Sequence, residues 1–454
     1  MKIPERDGFA SRFGILVAVA GSAVGLGNLW RFPYLVGNNG GAAFILIYLL
    51  FVFLLCLPIM FSEFVIGRRT GANVFGAMKK LAPRSGWLSI GVISVVTSFC
   101  ILSFYSVVGG WTVDYIIRSF SPGFLTADSG ALSDTFKHFI SSPLRPAVMM
   151  LIFLGLSALI VSGGIKNGIE RYSKILMPVL FLLIVILAIR SVTLPGASQG
   201  VNFLFNPDFS KLKSDSILAA LGQAFFSLSL GMGCIITYGS YVKKKESIVK
   251  ISVISSLADT LFAILAGLAI LPAVFAFGIS PGEGPGLVFI TLPQIFAQMP
   301  GGMIISAAFF VILLVAALTS EISLLEVVVA YLTEELKLTR RTAVVLTFAV
   351  AGFFGLLCSL SEGTLSEYRL FGKNIFDLFD YTASTILLPA GGLLMVMFTG
   401  WKMKKADLLD ELTNGGMHTM SRYLFKGVVF SLKFLAPVAI TFVLLYGLGL
   451  IKLF

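Results

Sequence analysis

Residues 21–33 read GSAVGLGNLWRFP, and the reading of this stretch decides the fold. It lies in the first long apolar run, where a membrane-crossing helix is expected, yet it carries Gly21, Gly25 and Gly27 together with Asn28 and Arg31. Each glycine weakens a helix by about 1 kcal/mol relative to alanine. Hydrocarbon offers no partner to the N–H and C=O groups that a break sets free, so such a break is tolerated only where protein packs around it or a polar cavity opens beside it.

The membrane reading follows from the whole chain. Its 454 residues are 57% hydrophobic and 13% charged, with mean hydropathy +0.94, a balance that water-soluble domains do not sustain. Apolar runs long enough to cross a hydrocarbon core of about 30 Å fall near residues 11–36, 41–67, 87–120, 146–163, 170–190, 217–241, 251–278, 302–333, 341–359, 376–400 and 422–451. These eleven spans predict an all-α membrane protein, residues 1–454 forming a single membrane domain. The formal net charge of +11 would suit a nucleic-acid partner, but its distribution argues otherwise. Lys and Arg gather in alternate connections (Arg68 to Arg84, Lys166 to Lys174, Lys243 to Lys245, Arg340 and Arg341, Lys402 to Lys405). By the positive-inside rule those loops are cytoplasmic. The N-terminus is then expected inside and, with eleven spans, the C-terminus outside. The four cysteines and two histidines lack metal-ligand or disulfide-framework spacing.

A second apolar run is broken in the same manner. SLSLGMGC, residues 227–234, interrupts the sixth span, five spans after the first break. Paired breaks at corresponding places in two halves point to an inverted-repeat transporter. The repeats are expected at residues 11–190 and 217–400, with the span at 422–451 outside them. Two facing breaks make a polar chamber near mid-membrane, where half-helix N-termini attract an anionic group and freed carbonyls accept cations. The plainer alternative is that the glycines only let helices pack closely. Asn28 beside one break, with Ser227 and Ser229 beside the other, favours the chamber.

Three stretches carry a resemblance: GSAVGLGNLWRFPYLVGNNGGAAF, FFSLSLGMGCIITYGSY in the sixth span and AALTSEIS in the eighth. They resemble the neurotransmitter:sodium symporter family, especially its prokaryotic amino-acid transporters, over essentially the whole chain. The resemblance implies a five-plus-five inverted-repeat fold of leucine-transporter type with one additional C-terminal transmembrane helix, where the family commonly has twelve spans. It also implies two sodium sites. One uses the Ala23 carbonyl, Asn28, Ser227 and a residue of the seventh span. The other uses the carbonyls of Gly21, Val24 and Ala316 with the hydroxyls of Thr319 and Ser320. Hard, mostly neutral oxygen ligands suit a hard monovalent ion, although a helical Thr or Ser can also bond back to its own helix. The seventh span reads SSLADTLFAILAG, with Asp259 at or beside the position where many members have Asn. A carboxylate there supplies the negative charge that chloride provides elsewhere, so no chloride requirement is expected.

The resemblance further implies a substrate pocket lined by Ala23, Gly25, Gly27, Ile101, Tyr105, Phe226, Ser227, Ser229, Met232, Ser320 and Leu324. Gly25 stands where monoamine carriers of the family have Asp, so the ligand must bring its own carboxylate. Met232, a flexible thioether between two glycines, suits bulky side chains. Large aliphatic or aromatic amino acids are therefore the expected substrates. Gates are expected at Arg31 with Asp380 outside and Arg6 with Glu334 inside. The alternative for such charges is snorkelling to the interface. Gly168 and Pro178 in the fifth span mark an unwinding segment or a static kink. Glu63 is expected to support the first break. The assembly expected is a monomer or weak homodimer in the plasma-membrane bilayer. An amino-acid sensor that binds without transport is the main rival, whereas a channel lacks a ring of filter residues and an enzyme lacks a catalytic pair.

Overall fold

The computed structural model describes residues 8–279 and 286–451. Among these, nine helices are long and apolar enough to cross a membrane, and a bent pair makes a tenth. The bent pair is span 1, Arg12–Ala23 and Gly27–Asn38, whose halves meet at 55°. Span 2 is Ala42–Thr70, span 3 Leu88–Ser119, span 4 Arg145–Ser162 and span 5 Ile165–Val192. Span 6 is again two pieces, Ser214–Ser227 and Cys234–Gly239, each too short to cross alone. Spans 7 to 11 are Ile248–Ala276, Gly302–Glu334, Arg340–Leu360, Ile375–Lys402 and Arg422–Gly447. The apolar runs thus give all eleven, and the main boundary difference is that span 5 begins at Ile165 rather than near 170. Its first turn, Ile165–Glu170, is wider than an α-turn.

Prolines explain most of the other wide turns. Stretches at Gly27–Arg31, Val52–Cys56, Leu287–Thr291, Tyr381–Leu387 and Ser431–Leu435 have i→i+5 bonding. Each ends two residues before Pro33, Pro58, Pro293, Pro389 or Pro437. A proline lacks an N–H and its ring crowds the carbonyl four residues back, and a widened turn relieves both.

Spans 3, 4, 8 and 9 pack together as one group, while spans 1, 2, 6 and 7 pack as another, with span 1 also lying along spans 5 and 8. Outside the spans, short helices Ser129–Ser141, Ser198–Phe205 and Leu287–Ala297 fill the longer connections. At the opposite end, the helix Lys405–Thr413 is tied to span 2 by Arg68, whose Nε lies 2.7 Å from Glu411 Oε2 and whose Nη1 donates to the Glu246 carbonyl at 2.6 Å.

Candidate functional site

The two breaks stand side by side. In span 1 the helix stops at Ala23, and Val24 is extended at φ −72°, ψ 102°. In span 6, Ser229, Gly231 and Gly233 take φ of +54°, +81° and +82°, which carries the chain through the gap. Glycine accepts that geometry readily. At Gly231 it is also required sterically, because a Cβ would sit 2.6 Å from the Leu388 carbonyl oxygen. Ser229, strained by comparison, donates its hydroxyl to the Ser22 carbonyl at 2.7 Å and so ties one break to the other.

A cavity lies between the breaks. It is lined by every residue that the sequence reading placed around a substrate, namely Ala23, Gly25, Gly27, Ile101, Tyr105, Phe226, Ser227, Ser229, Met232, Ser320 and Leu324. Ser22, Leu26 and Ser323 also line it and were missed. Tyr105 Oη accepts from Leu26 N at 3.2 Å, occupying one of the amides freed by the break. The glycines keep the cavity open: a Cβ on Gly25 would lie 2.6 Å from Ser320 Oγ and 3.1 Å from Tyr105 Oη, and one on Gly27 would lie 3.2 Å from the Phe226 ring.

Behind the cavity sits Asp259, fully buried. Its carboxylate accepts from Asn28 Nδ2 at 2.8 Å, from Ser227 Oγ at 2.9 and 3.0 Å, and from Tyr48 Oη at 3.3 Å. Asn28 Oδ1 in turn accepts from Gly25 N at 3.2 Å. Among the described residues no cationic side chain lies within ion-pair distance of this carboxylate. The residues expected around the first cation are thereby brought together, and Tyr48, which nothing in ILIYLL singles out, joins them. The donor set fits a small hard cation, being oxygen-rich with a single negative charge.

The second expected set also converges. Ser320 Oγ lies 3.5, 3.3 and 3.4 Å from the carbonyl oxygens of Gly21, Ser22 and Val24. Thr319 Oγ1 instead donates within its own helix, to Ala316 O at 3.0 Å and Val315 O at 3.1 Å, the local alternative that its helical position allows. A Cβ on Gly21 would lie 3.1 Å from Met177 Sδ and 3.2 Å from Thr319 Cβ. Span 5, one residue before Pro178, therefore abuts this second set.

Around the chamber the geometry differs from expectation in places. Glu63 does not support the first break: its Oε1 accepts from Gly231 N at 2.8 Å, at the break of span 6. The reason is packing, since span 2 runs along Cys234–Gly239. Arg31 lies over the Phe226 ring, 5.3 Å from its centroid, and among the described residues no ion pair joins it to Asp380, which accepts from Ser384 Oγ at 2.8 Å. Arg6 falls outside the described residues. Glu334 accepts from Asn73 N at 2.8 Å and Asn73 Nδ2 at 3.0 Å. Phe9, buried, meets Tyr238 and Tyr241 edge-on. Gly168 lies in the wide first turn of span 5 and Pro178 inside its continuous helix. Beside them the sequence reading missed Glu170. This buried acid accepts from Ala10 N at 2.6 Å, Ser11 Oγ at 2.7 Å and Lys174 Nζ at 2.5 Å, and so clasps the start of span 1. A lone acid among Lys166, Arg171 and Lys174 was the available signal.

The sodium:neurotransmitter symporter family matches this chain over residues 6–129 and 132–452. The chain belongs to this family. It is 44% identical over 451 residues to the uncharacterized sodium-dependent transporter YhdH of Bacillus subtilis, covering 98% of each chain. To the sodium- and chloride-dependent GABA transporter 2 of Rattus norvegicus it is 28% identical over 435 residues, covering 84% of this chain and 70% of the relative. The crystal structure of MhsT in complex with L-phenylalanine superposes with a TM-score of 0.89 at 45% identity, covering 98% of this chain and 100% of that one. Among its described residues the symporter is thus helical and of the leucine-transporter type, with Arg422–Gly447 as its eleventh span. It is a multi-pass membrane protein of a family of sodium-coupled transporters rather than enzymes.

Proposed function

We propose that this symporter carries hydrophobic or aromatic L-amino acids into the cell with sodium, by alternating access and without a chloride requirement. The observation that carries the reading is Asp259, a buried carboxylate without a cationic partner among the described residues, set directly behind a cavity formed by two broken helices. A fixed negative charge there balances a cation whose remaining ligands are neutral, so no mobile anion is needed. MhsT, a chain 45% identical, was crystallised in complex with L-phenylalanine, which supports a bulky amino acid as substrate here.

In this reading the first sodium is held by the Ala23 carbonyl, Asn28, Ser227 and Asp259, with the substrate carboxylate completing its shell. The second is held by Gly21, Val24, Ala316, Thr319 and Ser320. Because one ligand of the first ion is the substrate itself, each raises the other's affinity. Arg31 with Asp380 closes the outer side, Arg6 with Glu334 the inner side, and the segment from Gly168 to Pro178 loosens to admit water to the second ion. Low internal sodium and the membrane potential, about 2.3 kcal/mol per charge per 100 mV, drive release inward. Residues 11–190 and 217–400 act as the two inverted repeats. The basic connections support a cytoplasmic N-terminus, with the end of span 11 outside a plasma membrane. The working unit is a monomer or weak homodimer.

Uptake of radiolabelled amino acids into liposomes under an imposed sodium gradient tests this directly. Accumulation should require sodium, persist when gluconate replaces chloride, and resist competition by decarboxylated amines. A sharp fall in gluconate would remove Asp259 from its assigned role. Saturable binding with no accumulation would favour a sensor instead.

A further inference from the structure

The inner end of span 10 and the middle of span 11 meet at one point. A Cβ on Gly400 would lie 2.8 Å from the Leu432 carbonyl oxygen, so only glycine allows this approach. Next to it Trp401 Nε1 donates to the Lys433 carbonyl at 3.2 Å, and Lys433 Nζ lies 5.0 Å from the centroid of the Trp401 ring. From this contact onward the two spans stay packed together, and along their outer seam runs a groove of about 450 Å³, lined by Met397, Pro437, Val438, Thr441, Phe442 and Leu445 among others.

The groove is apolar apart from Thr441, whose hydroxyl donates to the Pro437 carbonyl at 2.7 Å within its own helix, and from its end, where Lys433 sits. Among the described residues no carboxylate lies within ion-pair distance of this ammonium. Trp401 attracts the charge through its ring face but does not neutralise it. Lys402, Lys404 and Lys405 follow at the same end of span 10. From Lys433 to Leu445 the helix rises roughly 18 Å, close to the depth of one leaflet of a hydrocarbon core of about 30 Å. A charged head and an apolar trough of leaflet length match one kind of occupant.

We propose that the groove between spans 10 and 11 is a binding site for a phospholipid with a net anionic head group. The phosphate lies at Lys433 against Trp401, and one acyl chain runs along Pro437, Thr441 and Leu445. The site lies on the lipid-facing side, distinct from the chamber. Simple interfacial anchoring by Lys and Trp would not require the trough, and other lysines of span 11 would add to an anionic preference in the same way.

Native mass spectrometry of the full chain in detergent tests it, titrating phosphatidylglycerol, phosphatidylcholine of the same chains, and inorganic phosphate. The expected preference for phosphatidylglycerol over phosphatidylcholine is about fivefold, the scale of one lysine at an anionic head group. Lys433→Gln should abolish that preference. Thr441→Trp, which fills the trough, should weaken both lipids, while Lys426→Gln, the same charge loss on span 11 away from the groove, should leave the preference intact. Retained sodium-dependent uptake shows that each variant is folded. The proposal is overturned if K433Q keeps the preference, if K426Q loses it equally, if inorganic phosphate competes as well as the lipid, or if a lipid-free dimer broken by T441W covers the groove.

Discussion

Replacing Asp259 by Asn isolates the charge from the shape. The carboxylate is fully buried and, among the described residues, is held by neutral donors, Asn28 at 2.8 Å, Ser227 at 2.9 Å and Tyr48 at 3.3 Å. An amide is nearly the same size and keeps one acceptor oxygen, so the packing of span 7 against span 1 survives. What disappears is a unit charge next to the proposed cation. At about 4 Å and an effective dielectric near 20, that interaction is about 4 kcal/mol, or roughly a thousandfold in affinity. The amide dipole recovers part of it, and a sodium affinity lower by about a hundredfold is expected. Substrate affinity should fall with it at low sodium and return toward the wild-type value at saturating sodium, because the two ligands are linked. Residual uptake by D259N should also become responsive to chloride, whereas wild-type uptake should not be. Equilibrium binding of a labelled amino acid in proteoliposomes, titrated with sodium in chloride and in gluconate, measures all three. A sodium half-saturation for D259N within twofold of wild type would refute the electrostatic argument.

Gly25→Ala should leave the fold intact but weaken substrate binding at least tenfold, since the added methyl falls 2.6 Å from Ser320 Oγ and 3.1 Å from Tyr105 Oη; saturation binding alongside a melting curve in detergent separates the two effects. Gly231→Ala should destabilise the folded protein by about 1–2 kcal/mol or more from its left-handed backbone alone, with the approach to the Leu388 carbonyl adding to that cost, and its melting temperature should drop in proportion. Glu170→Gln should loosen the start of span 1, because bonds to a charged acceptor contribute about 1.5–3 kcal/mol each in favourable settings. Hydrogen exchange of the amides near Ala10 and Gly168 should quicken, more so without sodium, and unchanged exchange would exclude Glu170 as the clasp.

Depth in the membrane was legible from the sequence, and direction around each helix was not. Apolar runs fix where a span begins and ends to within a few residues, because the hydrocarbon thickness sets their length. Glycines 25, 27, 231 and 233 marked both breaks, because few sequences place so many weak points in an apolar helix. The eleven cavity residues came from motif resemblance, which carries rotational information that hydropathy lacks. Where resemblance was silent, the reading failed in a consistent way. Glu63 was placed at the right depth but turned toward the wrong break, and Glu170 was not connected to the start of span 1.

These two acids show why a break can persist in lipid. The freed amide of Gly231 is satisfied by Glu63 of span 2, and the Ala10 amide and the hydroxyl of Ser11, the N-cap of span 1, are held by Glu170 of span 5. In both cases the broken or frayed element borrows its hydrogen-bond partner from a continuous neighbour. The glycines make the opening, but the carboxylates of intact helices decide how firmly it is held. A carrier that must rearrange around its ligands needs that division: Glu63 can release the break of span 6 without unfolding span 2, and Glu170, inside the Gly168–Pro178 segment proposed to loosen, lets go of span 1 when that segment does.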